Sequence, residues 1–129
     1  MWPFTRGKAL GPSGEKTAAA FLKRQGLKVL ATNYRCPSGE ADIIALQGPT
    51  RECPAQTIVF VEVKTRSSDR YTDPSSAVDS EKQRRIRKTA KYYLNTRPSE
   101  GYNVRFDIVS VVMRPGEKPR VEHIVEAFH

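Results

Sequence analysis

The chain has 129 residues, 38% hydrophobic and 28% charged, with 22 Lys and Arg against 14 Asp and Glu for a net charge of +8. That length suits one domain able to bury a core without a metal or a disulfide, and the balance excludes wholesale disorder. No run nears the roughly 18 apolar residues of a membrane span, and the basic excess favours a polyanionic partner, nucleic acid before an anionic membrane surface.

Met1-Trp2-Pro3-Phe4 lacks the apolar core of a secretory signal, so a cytoplasmic protein is expected. In that compartment Cys36 and Cys53 are expected as free thiols, and the two Cys and two His show no zinc spacing. Residues 1–11 read as a flexible basic leader, and residues 12–129 as a single domain.

A first helix is predicted from Ser13, a capping residue, to Gln25, with Gly26 as a left-handed stop. Glu15, Ala18, Ala19 and Leu22 share one helical face, which places Glu15 at the rim of whatever that face covers. A strand is predicted over Leu27–Tyr34, a turn at Pro37-Ser38-Gly39 and a second strand over Glu40–Leu46. A proline-bearing loop over 47–56 leads to the strongest strand, Thr57–Arg66. One of its faces is Val59, Val61 and Val63, a core pattern. The other, Ile58, Phe60, Glu62, Lys64 and Arg66, begins apolar and ends ionised, so it should leave the core and enter a cleft.

After a polar loop over 67–78, Ser80 with Gln83 forms a capping-box pattern that opens a helix to Asn95. Its apolar stripe is Ile86, Ala90, Tyr93 and Leu94, while Arg84, Arg87, Lys88 and Lys91 make a basic ridge on the opposite side. A long strand over Asn103–Met113 and a short one over Val121–Val125 complete the chain. His123 falls in that edge strand and reads as structural or exposed. Of the tyrosines able to stack on bases, Tyr71 and Tyr92 are candidates, and Tyr93 belongs to the core.

Glu15, Asp42, Glu62 and Lys64 are the residues with chemistry to offer. Glu62 and Lys64, at i and i+2 on one strand, project the same way, roughly 6.5–7 Å apart. If the preceding strand, which carries Asp42, pairs with this one as a hairpin, Asp42 approaches Glu62, and two carboxylates at that range favour a divalent cation between them. Each residue alone has a structural explanation: a solvated ion pair, a strand-end acid, a first-turn acid. Their order along the chain is what points to a site. Asp42 and Glu62 are the expected ligands of Mg²⁺ or Mn²⁺, Glu15 binds metal-ligated water or completes a second metal site, and Lys64 stabilises an attacking water or a pentavalent phosphate. Gln83 is placed to reach a scissile phosphate. Arg66, Lys82, Arg84, Arg87, Lys88 and Lys91 are the other expected nucleic-acid contacts.

Gly14-Glu15 with Ala18-Ala19-Ala20-Phe21-Leu22, Asn33-Tyr34-Arg35, Gly39 to Ala45, Val59 to Arg66, Lys82-Gln83-Arg84-Arg85 and Arg105-Phe106-Asp107 together resemble the YraN-like family of small bacterial proteins. That family is similar to restriction-endonuclease-like nucleases and archaeal Holliday-junction resolvases. The resemblance implies an α/β fold with a restriction-endonuclease-like core, α-β-β-β-α-β, whose mixed central sheet is flanked by helices. It also implies that Glu15, Asp42, Glu62 and Lys64 occupy metal and catalytic positions. The chain departs from the family pattern in the loop over 47–56. The expected activity is Mg²⁺-dependent endonucleolytic cleavage of DNA, branched or structured DNA included, which a homodimer would suit. A non-catalytic nucleic-acid-binding module with the same fold stays open, as does an adaptor whose basic helix meets an acidic protein.

Overall fold

The computed structural model describes residues 3–67 and 78–129, and of residues 3–13 the backbone only. Most of the expected 67–78 loop, Tyr71 included, and the side chain of Ser13 lie outside the described residues. Helix α1 (Pro3–Arg24) leads to strands β1 (Lys28–Cys36), β2 (Gly39–Gln47) and β3 (Thr57–Arg66). Helix α2 (Ser80–Asn95) and strands β4 (Asn103–Val112) and β5 (Arg120–Phe128) follow. α1 begins well before Ser13, at a proline suited to a first helical turn, where a missing N–H costs nothing. Gly11 and Pro12, poor interior residues that argued for a later start, lie inside it. α2 is capped by Asp79 rather than Ser80: its carboxylate accepts the Lys82 N–H at 2.9 Å. A charged acceptor also suits the positive end of the helix.

The five strands stand in sequence order, β3 and β4 parallel and every other neighbouring pair antiparallel. A parallel pair needs a crossover, and α2 is part of it. The result is a mixed α/β architecture with a helix on each face of the sheet. Val59, Val61 and Val63 pack with Ala18 and Leu22 of α1. Ile58 and Phe60 pack on the other face with Ile86, Ala90 and Tyr93 of α2. Tyr93 meets Phe60 edge-on at 5.7 Å between centroids, whereas Tyr92 is exposed. Among the described residues, no helix is long and apolar enough to cross a membrane.

Two features shape one end of this sheet. β2 pairs with β3 only from Gln47↔Thr57 to Ile43↔Val61, whereas β3 continues beside β4 to Arg66↔Val112. The β1–β2 hairpin therefore parts from β3 just where Asp42 and Glu62 begin. At the same end α1 comes down on β3 through Gly14: a Cβ there would fall 2.9 Å from Cβ and Cγ2 of Thr65. The missing side chain allows that approach and delivers the next residue, Glu15, to the edge of the parted strands.

The opposite edge is fixed by an ionic centre. Asp107 of β4 is fully buried. It accepts from Arg105 Nε and Nη2, each at 2.9 Å, from His123 Nε2 at 2.7 Å and from the Glu126 N–H at 2.9 Å. The β4–β5 register shifts beside Asp107, and Glu126 has φ 54°, a kink that accompanies the turn of its N–H onto the carboxylate. His123 is thus a structural residue of an edge strand, its ring edge-on to Phe21 at 6.0 Å. Burial pushes the Asp107 carboxyl upward, but the bonds from His123, Arg105 and the Glu126 N–H outweigh it and hold the group below its usual value.

Replacing Asp107 by Ala strands a guanidinium and an imidazole in the interior, and should cost about 3–5 kcal/mol. Because the native pKa is depressed, this contribution is complete above the unfolded value of about 3.9 and is lost only as pH falls through the lower native value. Urea titrations of wild type and Asp107→Ala should show the full gap at pH 7 and a shrinking one below pH 4. A gap that already closes by pH 6 would refute the depressed Asp107 carboxyl.

Candidate functional site

Where the strands part, the Val63 N–H has no β2 carbonyl to meet. Asp42 Oδ2 takes its place, accepting that N–H at 2.8 Å. This bridge holds the Asp42 carboxyl against β3, within hydrogen-bonding reach of Glu62. Burial first, then the Glu62 charge, push Asp42 up to about 7, against the lowering effect of the Val63 N–H. Asp42 therefore keeps its proton up to near neutral pH.

Glu62 has a second partner. Lys82 Nζ lies 2.6 Å from Glu62 Oε2, with the Glu62 side chain only 11% exposed. Lys82 also contacts Lys64. Of these two amines Lys82 keeps its proton: burial opposes the charge, but the pairing with Glu62 outweighs it and holds Lys82 high. Lys64 is pushed down, by burial first and then by the Lys82 charge. Two carboxyls and two amines thus meet on the α2 side of the sheet end.

Asp42, Glu62 and Lys82 floor one side of a cleft of about 420 Å³, lined also by Arg35, Cys36, Gly39, Glu40, Arg85 and Ile86. One wall is the β1–β2 hairpin end and the other is the first turns of α2. Glu15 lies outside this cleft, in a separate depression with Lys16, Ala19, Thr32 and Asn33. Asn33 adopts φ 52°, tolerable for asparagine, and its side chain hydrogen-bonds Glu15. Burial raises the Glu15 carboxyl despite that bond, and the charges of Glu40 and Glu62 add to it. Glu15 therefore feels the cleft electrostatically without lining it.

Asp42, Glu62 and Lys64 thus come together as the sequence suggests. Among the described residues no three His, Cys, Asp or Glu side chains form a ready-made metal cage. Gln83 points elsewhere: its Nε2 donates to the Val78 carbonyl at 3.0 Å and secures the start of α2. Arg84 is exposed and pairs with Glu81 at 2.8 Å, and Arg87 donates to the His129 carbonyl at 3.1 Å. Lys88 and Lys91 are exposed on the outer side of α2, and Arg66 is half-buried at the end of β3. Cys36 and Cys53 are free thiols.

The sequence reading put Lys82 among outer nucleic-acid contacts, and it gave no role to Arg35 or Arg85. A signal for Lys82 exists. The buried stripe of α2, Tyr93–Ala90–Ile86, extended back one turn, lands on Lys82, just as Ile58–Phe60 of β3 runs on to Glu62. Both stripes end in a charge, and the two charges meet.

Fold and cleft together define a small mixed α/β protein with a recessed acid–lysine site. A family profile described as Uncharacterised protein family UPF0102 matches residues 14–111, a span holding all four groups. A UPF0102 protein of Syntrophus aciditrophicus (strain SB) is 47% identical over 128 residues, covering 99% of this chain and 94% of that protein. A UPF0102 protein of Nocardia farcinica (strain IFM 10152) is 41% identical over 121 residues, with 94% and 90% covered. The corresponding protein of Geobacter metallireducens is 44% identical over 121 residues, with 94% and 93% covered. The chain belongs to the UPF0102 family, the one that its YraN-like stretches resemble.

Asp42 carries a stability cost with a definite pH dependence. Its native pKa, about 7, is above the unfolded value of about 3.9, so no penalty exists below pH 4 and the whole penalty is present above pH 7. Asn at this position can still accept the Val63 N–H. In metal-free buffer, Asp42→Asn should therefore match wild type at pH 4 and exceed it at pH 8 by on the order of 2 kcal/mol. Thermal melts at both pH values check this, and a variant less stable at pH 8 would refute the assigned repulsion.

Proposed function

We propose that this protein is a metal-dependent nuclease that hydrolyses phosphodiester bonds in nucleic acid, with DNA the expected substrate and a restriction-endonuclease-like core as its frame. The observation that carries the reading is the convergence of Asp42, Glu62, Lys64 and Lys82 at one sheet end. The element order α-β-β-β-α-β and the mixed sheet support the fold part of it.

The donor set fits Mg²⁺ or Mn²⁺. Mg²⁺ is commonly held by one or two carboxylates and keeps several waters, so Asp42 and Glu62 suffice without a third acid. Their mutual repulsion, which adds to burial in raising the Asp42 carboxyl, is what a divalent ion relieves. Bound there, the ion would polarise a phosphoryl oxygen and neutralise developing charge. Glu15, outside the cleft, suits a bond to an outer water rather than to the ion.

The remaining roles fall to the chain's own groups. Lys64 can orient the attacking water and stabilise the developing negative charge through Nζ, while solvent takes the proton from that water. The water oxygen bonds to phosphorus, and the bond from phosphorus to the leaving oxygen breaks. Lys82, which keeps its charge, holds Glu62 in place before a cation arrives and can then turn to a phosphate oxygen. The exposed outer face of α2 gives sequence-independent attraction to the backbone.

Incubation with single-stranded, duplex and branched DNA, and with RNA, plus Mg²⁺ or Mn²⁺ tests the activity. Asp42→Asn and Glu62→Gln should each lose on the order of 100-fold or more in rate. Calorimetric titration with Mn²⁺ is a second readout. Wild type should bind and Asp42→Asn should not, and Lys82→Met should bind several-fold more tightly because the ammonium competing for Glu62 is gone. Cleavage that survives in both acid variants would place the chemistry elsewhere. Absence of Mn²⁺ binding in wild type and in Lys82→Met would leave a non-catalytic binding module.

A further inference from the structure

Within the nuclease reading, we infer that the cleft seats a single unpaired nucleotide, with Arg35 and Arg85 as its phosphate and base contacts. The reacting groups are not on an open face. Glu62 is nearly covered, Asp42 is drawn against β3 by the Val63 N–H, and both lie at the bottom of a cleft of about 420 Å³. That is near the small end of the range for ligand pockets, about 300–1,000 Å³. It is room for one nucleotide, not for a duplex, whose major groove alone is about 12 Å wide.

The cleft is also closed on one side. Gly39, at φ 145°, lets the β1–β2 turn press onto α2: a Cβ there would stand 2.8 Å from Thr89 Oγ1 and 3.9 Å from the Arg85 carbonyl. A base-paired nucleotide would carry its partner strand into these walls. An unpaired one can turn in alone.

The walls carry the matching chemistry. Arg35 stands at the hairpin end, and Arg85 lies three residues beyond Lys82 on α2, so both border the same space as the carboxylates. Arg35 is held only loosely, its Nε 3.8 Å from Glu40 with both side chains exposed, so redirecting it costs little. Guanidinium groups fork onto phosphate oxygens and stack on bases, and they do so whatever the base. Two of them facing two acids would hold the flanking phosphates while the acids keep the cation.

The test is binding in EDTA, so that it does not depend on metal or cleavage. Fluorescence anisotropy compares a labelled oligo-dT strand, a duplex with one unpaired nucleotide and a fully paired duplex at one salt concentration. Wild type should prefer the first two by about tenfold over the third. Arg35→Ala/Arg85→Ala should lose that preference, with melting temperature as the check on folding. Arg87→Ala/Lys88→Ala/Lys91→Ala should weaken all three ligands alike. Equal affinity for paired and unpaired DNA, or a preference that persists without Arg35 and Arg85, overturns the inference. Either result leaves the nuclease reading to its own metal and cleavage tests. A preference seen without any cleavage would instead keep the subsite and sink the enzyme.

Discussion

One hydrogen bond, from the Val63 N–H to the Asp42 carboxylate, sits where β2 leaves β3, and the rest of the site depends on it. A sheet that splits leaves backbone donors unpaired, and a buried unpaired donor costs about 1–3 kcal/mol. Asp42 satisfies that donor from its own side chain. The split is then stable, the gap becomes a cleft, and the carboxyl is held beside Glu62. Other side chains with an oxygen could accept the same N–H. What aspartate adds is a negative charge where another negative charge already stands, and that is a burden for folding rather than a gain.

The buried Asp107 and the half-buried Asp42 show how surroundings decide what a residue does. Asp107 faces a guanidinium, an imidazole and a backbone N–H, and its carboxyl is held low. Asp42 faces Glu62 and feels Glu15, and its carboxyl is pushed to about 7. Asp107 fastens β5 to β4, so its charge is part of the fold's stability. Asp42 opposes stability in the state that prevails above neutral pH. Groups that destabilise a fold and yet fill a cleft are the mark of a functional site. Lys82 limits the damage by neutralising Glu62, which lets the carboxyl pair persist without a cation.

The strands and α2 were legible because their side chains alternate with the right periods. Val59, Val61 and Val63 against Ile58 and Phe60 fixed both faces of β3, and the run into Glu62 and Lys64 announced the cleft. The approach of Asp42 to Glu62 was expected from strand pairing, but the pairing ends at Ile43↔Val61 and it is the Val63 N–H that holds Asp42 in place. Other contacts depended on segments distant in sequence. Asp107 gathers partners from β4 and from two points on β5, and no local pattern marks a carboxylate for that role. The helical face placed Glu15 at the rim of the core, but its hydrogen bond to Asn33, in an αL turn, had no local signal. Gln83 fits a capping box in sequence, yet Asp79 one residue earlier is the stronger cap, and Gln83 bonds the Val78 carbonyl instead. The start of α1 was hidden behind Gly11-Pro12.

The basic charge of α2 divides into two sets by geometry. Ile86, Thr89, Ala90 and Tyr93 face the sheet. Lys82 and Arg85 border the cleft. Arg84, Arg87, Lys88 and Lys91 face outward, and Arg84 is already matched by Glu81. A charge in the outer set meets solvent and is screened within about 8–10 Å at ordinary ionic strength, so it acts through net charge rather than position. A charge in the inner set works in a partly covered space against acids at close range, where position counts more than net charge. One helix thus carries one set of charges that acts through net charge and another that acts through position. Counting lysines and arginines captures only the first of these effects. The second exists because the hairpin parts from β3 and leaves the beginning of α2 facing two carboxyls instead of a continuous sheet.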